Sequence, residues 1–150
     1  MQITRRLEFD AGHRIPFHDS LCKNVHGHRY RLEVTVEGEI QPARGDSNDG
    51  MVLDFGRVKE IMNDLVVSQW DHSFLVWDQD SKMLQSLRIL GSHHRTIILP
   101  CVPTAENLAT LIFERLETKI DEVFENDLKL FRVRLYETPN CFADAYMGEG

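Results

Sequence analysis

The sequence predicts an α+β fold, an antiparallel sheet with helices covering one face. Two observations carry that reading. Near both ends of the chain apolar and polar residues alternate with a period of two, the mark of half-buried strands. Between those segments lie two stretches with apolar residues at helical spacing. Two strands, then helices, then two strands give a four-stranded antiparallel sheet with two main helices on one face. With 150 residues, residues 1–150 are expected to form a single domain with its own core.

The first strand covers residues 2–13. Ile3, Leu7, Phe9, Ala11 and His13 share one parity, interrupted by Arg5. Residues 14–24 read as a loop from Pro16, Asp19, Ser20 and Asn24. In the second strand, to about Val36, Tyr30, Leu32, Val34 and Val36 alternate with Arg29, Arg31, Glu33 and Thr35. Residues 38–50 are turn-rich, and 51–53 read as a short strand continuing the sheet. Asp54 can cap a helix over 55–68, with Val58, Ile61, Met62, Leu65 and Val66 as its apolar stripe. Residues 76–103 are polar and irregular, apart from a short apolar strand at 97–99. Thr104 caps the second helix, 105–123, with Leu108, Leu111, Ile112, Leu116 and Ile120 in line. A strand follows over 130–137, where Phe131, Val133, Leu135 and Glu137 share a parity. The turn at Thr138, Pro139 and Asn140 leads to a last strand, 141–147, so the two pair as a hairpin. A sheet this small leaves edges exposed, and closing them between subunits makes a homo-oligomer the expectation.

Composition narrows the function classes. No apolar run approaches the roughly 18 residues of a spanning helix. The first residues lack an apolar secretion core, so no cleaved signal peptide is expected. Three cysteines at unrelated spacings do not form a disulfide framework and fit a reducing cytoplasm. The net charge is −7 without a Lys/Arg block, which argues against a nucleic-acid partner. That charge does not bar an anionic substrate, because a local basic pocket can sit inside an acidic protein.

The chemistry centres on residues 22–28, Cys-Lys-Asn-Val-His-Gly-His. Side chains two apart on a strand share a face, so His26 and His28 point together and inward. A His-x-His pair alone is weak; two strand histidines hydrogen-bonded to backbone would read the same. His13 changes the balance, because it ends the neighbouring strand with matching parity. Three imidazoles with an open fourth position make a catalytic zinc arrangement. Cys22 is either a buried small apolar residue or a thiol that needs a nearby cation or base to ionise. Asp71 and His72 could supply that base, a carboxylate orienting an imidazole; the competing reading is a packed histidine and a local cap. Glu137 continues an apolar parity, and a buried carboxylate needs donors. A ligand with a guanidine-like edge would satisfy it; a solvated residue past the strand end is the alternative. Glu106, in a first helical turn, has the simpler reading of a dipole-favoured acid. His18, His93 and His94 lie in polar loops and read as solvated.

Several spaced motifs stand in one order: Phe9-x-Ala11-x-His13, Cys22-x-x-x-His26-Gly27-His28, Gly50-Met51-Val52-x-Asp54-Phe55, Asp71-His72, Pro103-Thr104-x-Glu106-Asn107, and Glu137. In that order they resemble the 6-pyruvoyl-tetrahydropterin synthase family over nearly the whole chain. The three-residue spacer between Cys22 and His26 resembles the bacterial 6-carboxy-tetrahydropterin synthase branch, which belongs to queuosine biosynthesis. The resemblance implies the tunnelling fold, whose subunits close their sheets into a barrel, commonly as a hexamer built as a dimer of trimers. It implies Zn2+ on His13, His26 and His28, Cys22 as proton acceptor, Asp71 and His72 as its relay, and Glu137 as anchor of the pterin ring and part of the charge relay. Thr104 and Glu106 become substrate contacts by the same motif match. The implied reaction converts 7,8-dihydroneopterin triphosphate to 6-carboxy-5,6,7,8-tetrahydropterin with release of acetaldehyde and triphosphate. Arg14, Lys23 and Arg29 are candidates for the triphosphate on charge. The chain departs from the family at residues 76–103, which read as longer than in compact bacterial members.

Three other readings compete. One is a 6-pyruvoyl-tetrahydropterin synthase, which only eliminates triphosphate. Another is a cupin-like metal oxygenase using Glu33, which strand parity opposes because Glu33 faces away from the histidines. The third is a non-catalytic zinc- or pterin-binding protein.

Overall fold

Alternation does produce the long strands. The computed structural model describes residues 1–148. Strand β1 (Gln2–His13) pairs antiparallel with β2 (His26–Gly38), Gln2 opposite Glu37 and His13 opposite His26. The next elements are α1 (Phe55–Met62), α2 (Ser68–Trp70), β3 (Ser73–Trp77), α3 (Ser81–Ile89) and β4 (Thr96–Leu99). The chain finishes with α4 (Ala105–Phe124), β5 (Leu128–Thr138) and β6 (Cys141–Tyr146).

The four expected antiparallel strands are present in the order β1-β2-β5-β6, but the sheet is wider. Among the described residues it has six strands ordered β4-β3-β1-β2-β5-β6. Strands β3 and β4 add in parallel beyond β1, with β3 meeting β1 at Ala11↔Ser73 and Gly12↔Phe74. Residues 76–103 are therefore ordered, holding the end of β3, all of α3 and β4. Ser73, Phe74, Leu75 and Val76 are all buried, so β3 shows no alternation, as strands covered on both faces do not. The expected strand at 51–53 does not form. Its backbone folds into a turn through Gln41 N–H to Met51 O, 2.8 Å, and Val52 is buried without a ladder.

Two helical faces cover the sheet. Leu108, Ile112, Leu116 and Ile120 of α4 meet Val58, Ile61 and Met62 of α1 in one core with Leu32, Val34, Val133 and Leu135 of the sheet. Asp54 caps α1 by accepting from Gly56 N–H at 2.6 Å, and Thr104 caps α4 by accepting from Asn107 N–H at 3.2 Å. The first helix does not stop at Ser68. A π turn over Asn63–Val67 carries it into α2 and seats Trp70 in the core. Ser68 Oγ donates to Asn63 O at 2.6 Å, and Gln69 Nε2 donates to Asp64 O at 2.9 Å, taking up carbonyls that the widened turn loosens.

The opposite sheet face is polar. Arg6 donates to Glu33 at 3.0 Å, and Arg134 holds Asp144 through two bonds of 2.6 and 2.7 Å. A bulge in β5 between its pairs with Thr35 and Val36 pushes Phe131 out of register. Phe131 therefore leaves the inward parity and sits edge-on to Tyr146, ring centroids 6.0 Å apart.

The Asp144 carboxyl lies below its ordinary value of 3.8, chiefly through the Arg134 hydrogen bonds and against the cost of burial. A depressed folded value means that its stabilisation is present above about 3.8 and is lost as pH falls through the folded value. Asp144→Ala should cost about 1–2 kcal/mol at pH 7. The difference from the wild type should shrink in urea melts repeated toward pH 3.

Candidate metal centre and active site

The inward face of β1 and β2 changes character at one end. Phe9 faces Tyr30 across the ladder, with rings stacked at 5.2 Å. One step further Ala11 faces His28, and at the end His13 faces His26. Ala11 is small, which leaves room for the rings around it. The three imidazoles converge, and one ligand atom from each lies within 4.8 Å of the others.

Backbone contacts fix which nitrogens carry lone pairs. His13 Nδ1 lies 2.7 Å from the Pro103 carbonyl oxygen and can only donate to it. His26 Nδ1 lies 2.7 Å from the Asn24 carbonyl oxygen and does the same. A neutral imidazole has one N–H, so both Nε2 atoms carry lone pairs. These atoms face each other at 3.1 Å, where two lone pairs repel unless a cation lies between them. His28 Nε2 is buried and has no hydrogen-bond partner. A proton is a poor occupant at His13. Burial, with repulsion from His26 and His28, pushes its pKa down to about 4 despite the Pro103 hydrogen bond. His28 is also lowered, by burial first and against the pull of Glu137. The site fits a metal ion that prefers nitrogen donors.

Glycines let the strands close at this end. Gly12 pairs with Gly27, each beside a histidine. A Cβ on Gly12 would lie 2.8 Å from the Phe74 ring, and one on Gly27 would lie 3.1 Å from Ala11 O.

Glu137 joins the centre. It keeps the inward parity of Val133 and Leu135, as its place in the strand predicts, and lies at a second bulge, where β5 skips from Tyr136 to Thr138 against β6. Its Oε1 lies 3.5 Å from His28 Nε2. Beside it opens a cleft of about 300 Å³ lined by His28, Arg31, Tyr136, Glu137 and Thr138, among others. Arg31 lies over the Tyr136 ring at 5.2 Å.

Asp71 and His72 belong together. Asp71 accepts from Asp10 N–H at 2.9 Å and lies 2.9 Å from His72 Nδ1. The Asp71 carboxyl is held below its ordinary value, first by that Asp10 N–H. His72 adopts a positive φ of 57° and its side chain is 75% exposed, so its imidazole faces outward. Cys22 lies in a single 3-10 turn, Leu21–Lys23, and is half-buried. Among the described residues no hydrogen bond joins it to Asp71 or His72. Thr104 is engaged as the α4 cap, and Glu106 is exposed in the first turn. Arg14 is paired with Asp80, and Arg29 with Glu8 and Asp10, whereas Lys23 has no ion pair among the described residues. His94 is half-buried rather than solvated, its Nδ1 2.7 Å from Thr96 Oγ1.

Sequence reading missed the Pro103 and Asn24 carbonyls, which belong to main chain and leave no residue signal. It also missed Gly12, although its place beside His13 in a strand could have marked a close approach.

An α+β protein with an all-imidazole centre at one end of its sheet is the class that this geometry defines. The chain matches the family model for 6-pyruvoyl tetrahydropterin synthase over residues 2–148. It is 38% identical over 148 residues to a 6-carboxy-5,6,7,8-tetrahydropterin synthase of Rickettsia bellii, covering 96% of this chain and 99% of the relative. It is 34% identical over 147 residues to the protein of that name from Haemophilus influenzae, covering 95% and 96%. The solved 6-pyruvoyl tetrahydropterin synthase of Caenorhabditis elegans aligns with a TM-score of 0.65 at 28% identity, over 97% of this chain and 94% of that one. An uncharacterized protein from Wolinella succinogenes aligns at 0.77, with 23% identity and 98% of each chain, and so shares the fold. The chain belongs to the 6-pyruvoyl tetrahydropterin synthase family, and its fold is that family's tunnelling fold.

Two outcomes test the geometry. Gly12→Ala should destabilise the protein by about 1–3 kcal/mol, because the Phe74 ring must shift; thermal unfolding measures it. His13→Ala should leave a folded protein whose metal content drops from about one ion per chain to about none, by elemental analysis.

Proposed function

We propose that the chain is a zinc enzyme that converts 7,8-dihydroneopterin triphosphate and one water to 6-carboxy-5,6,7,8-tetrahydropterin, acetaldehyde and triphosphate, within queuosine biosynthesis. The observation that carries this is the trio of imidazoles with two tautomers set by carbonyls, beside a cleft holding a carboxylate. The full-length similarity to proteins named 6-carboxy-5,6,7,8-tetrahydropterin synthase gives it direction. Zinc is favoured because three neutral nitrogen donors with an open position are its usual catalytic set. When bound, zinc polarises side-chain oxygens of the substrate and acidifies the adjacent C–H bonds.

The protein's own residues do the rest. Glu137 accepts two parallel N–H bonds from the guanidine-like edge of the pterin and fixes the ring at the cleft. Cys22, as thiolate, takes and returns the side-chain proton. His72, oriented through Nδ1 by Asp71, exchanges that proton with a thiolate. Its outward direction suits a site shared between subunits, in a hexamer whose sheets join edge to edge. Thr104 and Glu106 serve as substrate contacts at the head of α4. Lys23 binds the triphosphate, since Arg14 and Arg29 are already neutralised within the chain. A reducing cytoplasm is the compartment in which the free thiols of Cys22, Cys101 and Cys141 persist.

Product analysis on zinc-loaded protein tests the reading. Acetaldehyde and triphosphate formed together with 6-carboxy-tetrahydropterin support it. A 6-pyruvoyl product without acetaldehyde assigns the triphosphate-eliminating activity instead. Wild-type protein that holds zinc and turns over nothing points to a binding protein. Cys22→Ala should keep its zinc while turnover falls about 10²–10⁴-fold.

A further inference from the structure

We propose that Asp80, through its ion pair with Arg14, is a positioning residue for the Cys22 loop. The inference rests on the role proposed above for Cys22.

The connection between β1 and β2 is internally stiff. Ile15 N–H donates to Cys22 O at 2.9 Å, so the chain folds back and sets Cys22 beside the exit of β1. His18 N–H donates to Ile15 O at 3.1 Å, and Ser20 N–H donates to His18 Nδ1 at 2.9 Å. Ser20 then caps the turn that carries Cys22. A loop bonded mainly to itself moves as one body, so what matters is where that body is tied.

Two tethers hold it, and both reach the same corner, the junction of β3 and α3. Phe17 rests its ring edge-on against Trp77, with centroids 6.4 Å apart, but is itself 86% exposed. Arg14 makes the stronger tie. Its guanidinium grips both carboxylate oxygens of Asp80, with the Nε bond at 2.7 Å. The Asp80 side chain is 5% exposed and that of Arg14 22%, so water competes little. Bidentate geometry fixes angle as well as distance. Arg14 directly follows His13, so this tie sets the direction in which the chain leaves the metal centre toward Cys22.

Asp80 also accepts from Met83 N–H at 3.3 Å as the cap of α3. Capping alone would explain an aspartate here, but not an arginine brought from 66 residues away to bind it. Asparagine caps helices about as well as aspartate. Asp80→Asn therefore removes the ion pair and keeps the cap, which separates the two roles.

The experiment uses full-length zinc-loaded protein in a Cys101→Ser, Cys141→Ser background, so that Cys22 is the sole thiol. The rate of Cys22 alkylation by iodoacetamide at pH 8, zinc content, kcat and KM are measured for Asp80→Asn, Arg14→Gln and the pair. The expected result is zinc content at the reference level and alkylation about threefold faster or more, as the loop opens. In addition kcat should fall about 10-fold with KM little changed, and the double variant should be no worse than either single one. Alkylation and kcat in Asp80→Asn within about twofold of the reference overturn the proposal. If Asp80→Asn does not fold, Arg14→Lys keeps the charge without the fork; an intermediate effect supports the proposal and reference behaviour overturns it. Should Cys22→Ala turn over like wild type while Asp80→Asn still speeds alkylation, the catalytic reading fails and the positioning stands. An inactive Cys22→Ala beside an unaffected Asp80→Asn fails the positioning alone.

Discussion

The register of β1 on β2 is the constraint on which the rest depends. Pairing His13 with His26 and Ala11 with His28 brings imidazoles from two strands to one end of one face. A slip by one residue would turn every ring to the polar side of the sheet. The register is held from below by the stacked Phe9 and Tyr30 rings and the edge of Trp70, 6.1 Å from Phe9. Packing energy in the core thereby becomes positional accuracy at the centre. Tyr30 takes part in both, since its hydroxyl lies 3.3 Å from His13 Nδ1.

The two faces of the sheet divide the labour. Under the helices, carbon packing gives stability and delivers the imidazoles at its margin. On the bare face, Arg6, Glu33, Arg134 and Asp144 pair across strands and keep charged residues satisfied. Bulges reconcile the two in β5. One moves Phe131 out of line, and the other lies at Glu137, whose inward parity faces it to His28. Both are single-residue insertions in pairing, but only Phe131 leaves the side that alternation assigns it; Glu137 keeps the inward parity of Val133 and Leu135.

What the sequence made legible follows from these rules. Strands with one wet face write their period into the residue order, so β1, β2, β5 and β6 were readable, as were the stripes and caps of α1 and α4. The convergence of His13, His26 and His28 followed from parity alone. Strand β3 was hidden because both its faces are covered, and α3 because only Leu87 of its nine residues is buried. The isolated apolar residues at 51–53 misled, since Val52 fills the core without pairing. Bulges left no mark, so Phe131 was assigned to the wrong side. Cys22 could be nominated by type and spacing, but the ties that hold its loop come from residues 77 and 80, in the least readable stretch.

The acceptors that orient His13 and His26 are both main-chain oxygens, those of Pro103 and Asn24. Their pull does not depend on which side chain those residues carry, only on the path of the chain. The orientation of two imidazoles is thus inherited with the fold. Mutation can exchange neighbouring side chains over evolutionary time while the rings keep their aim.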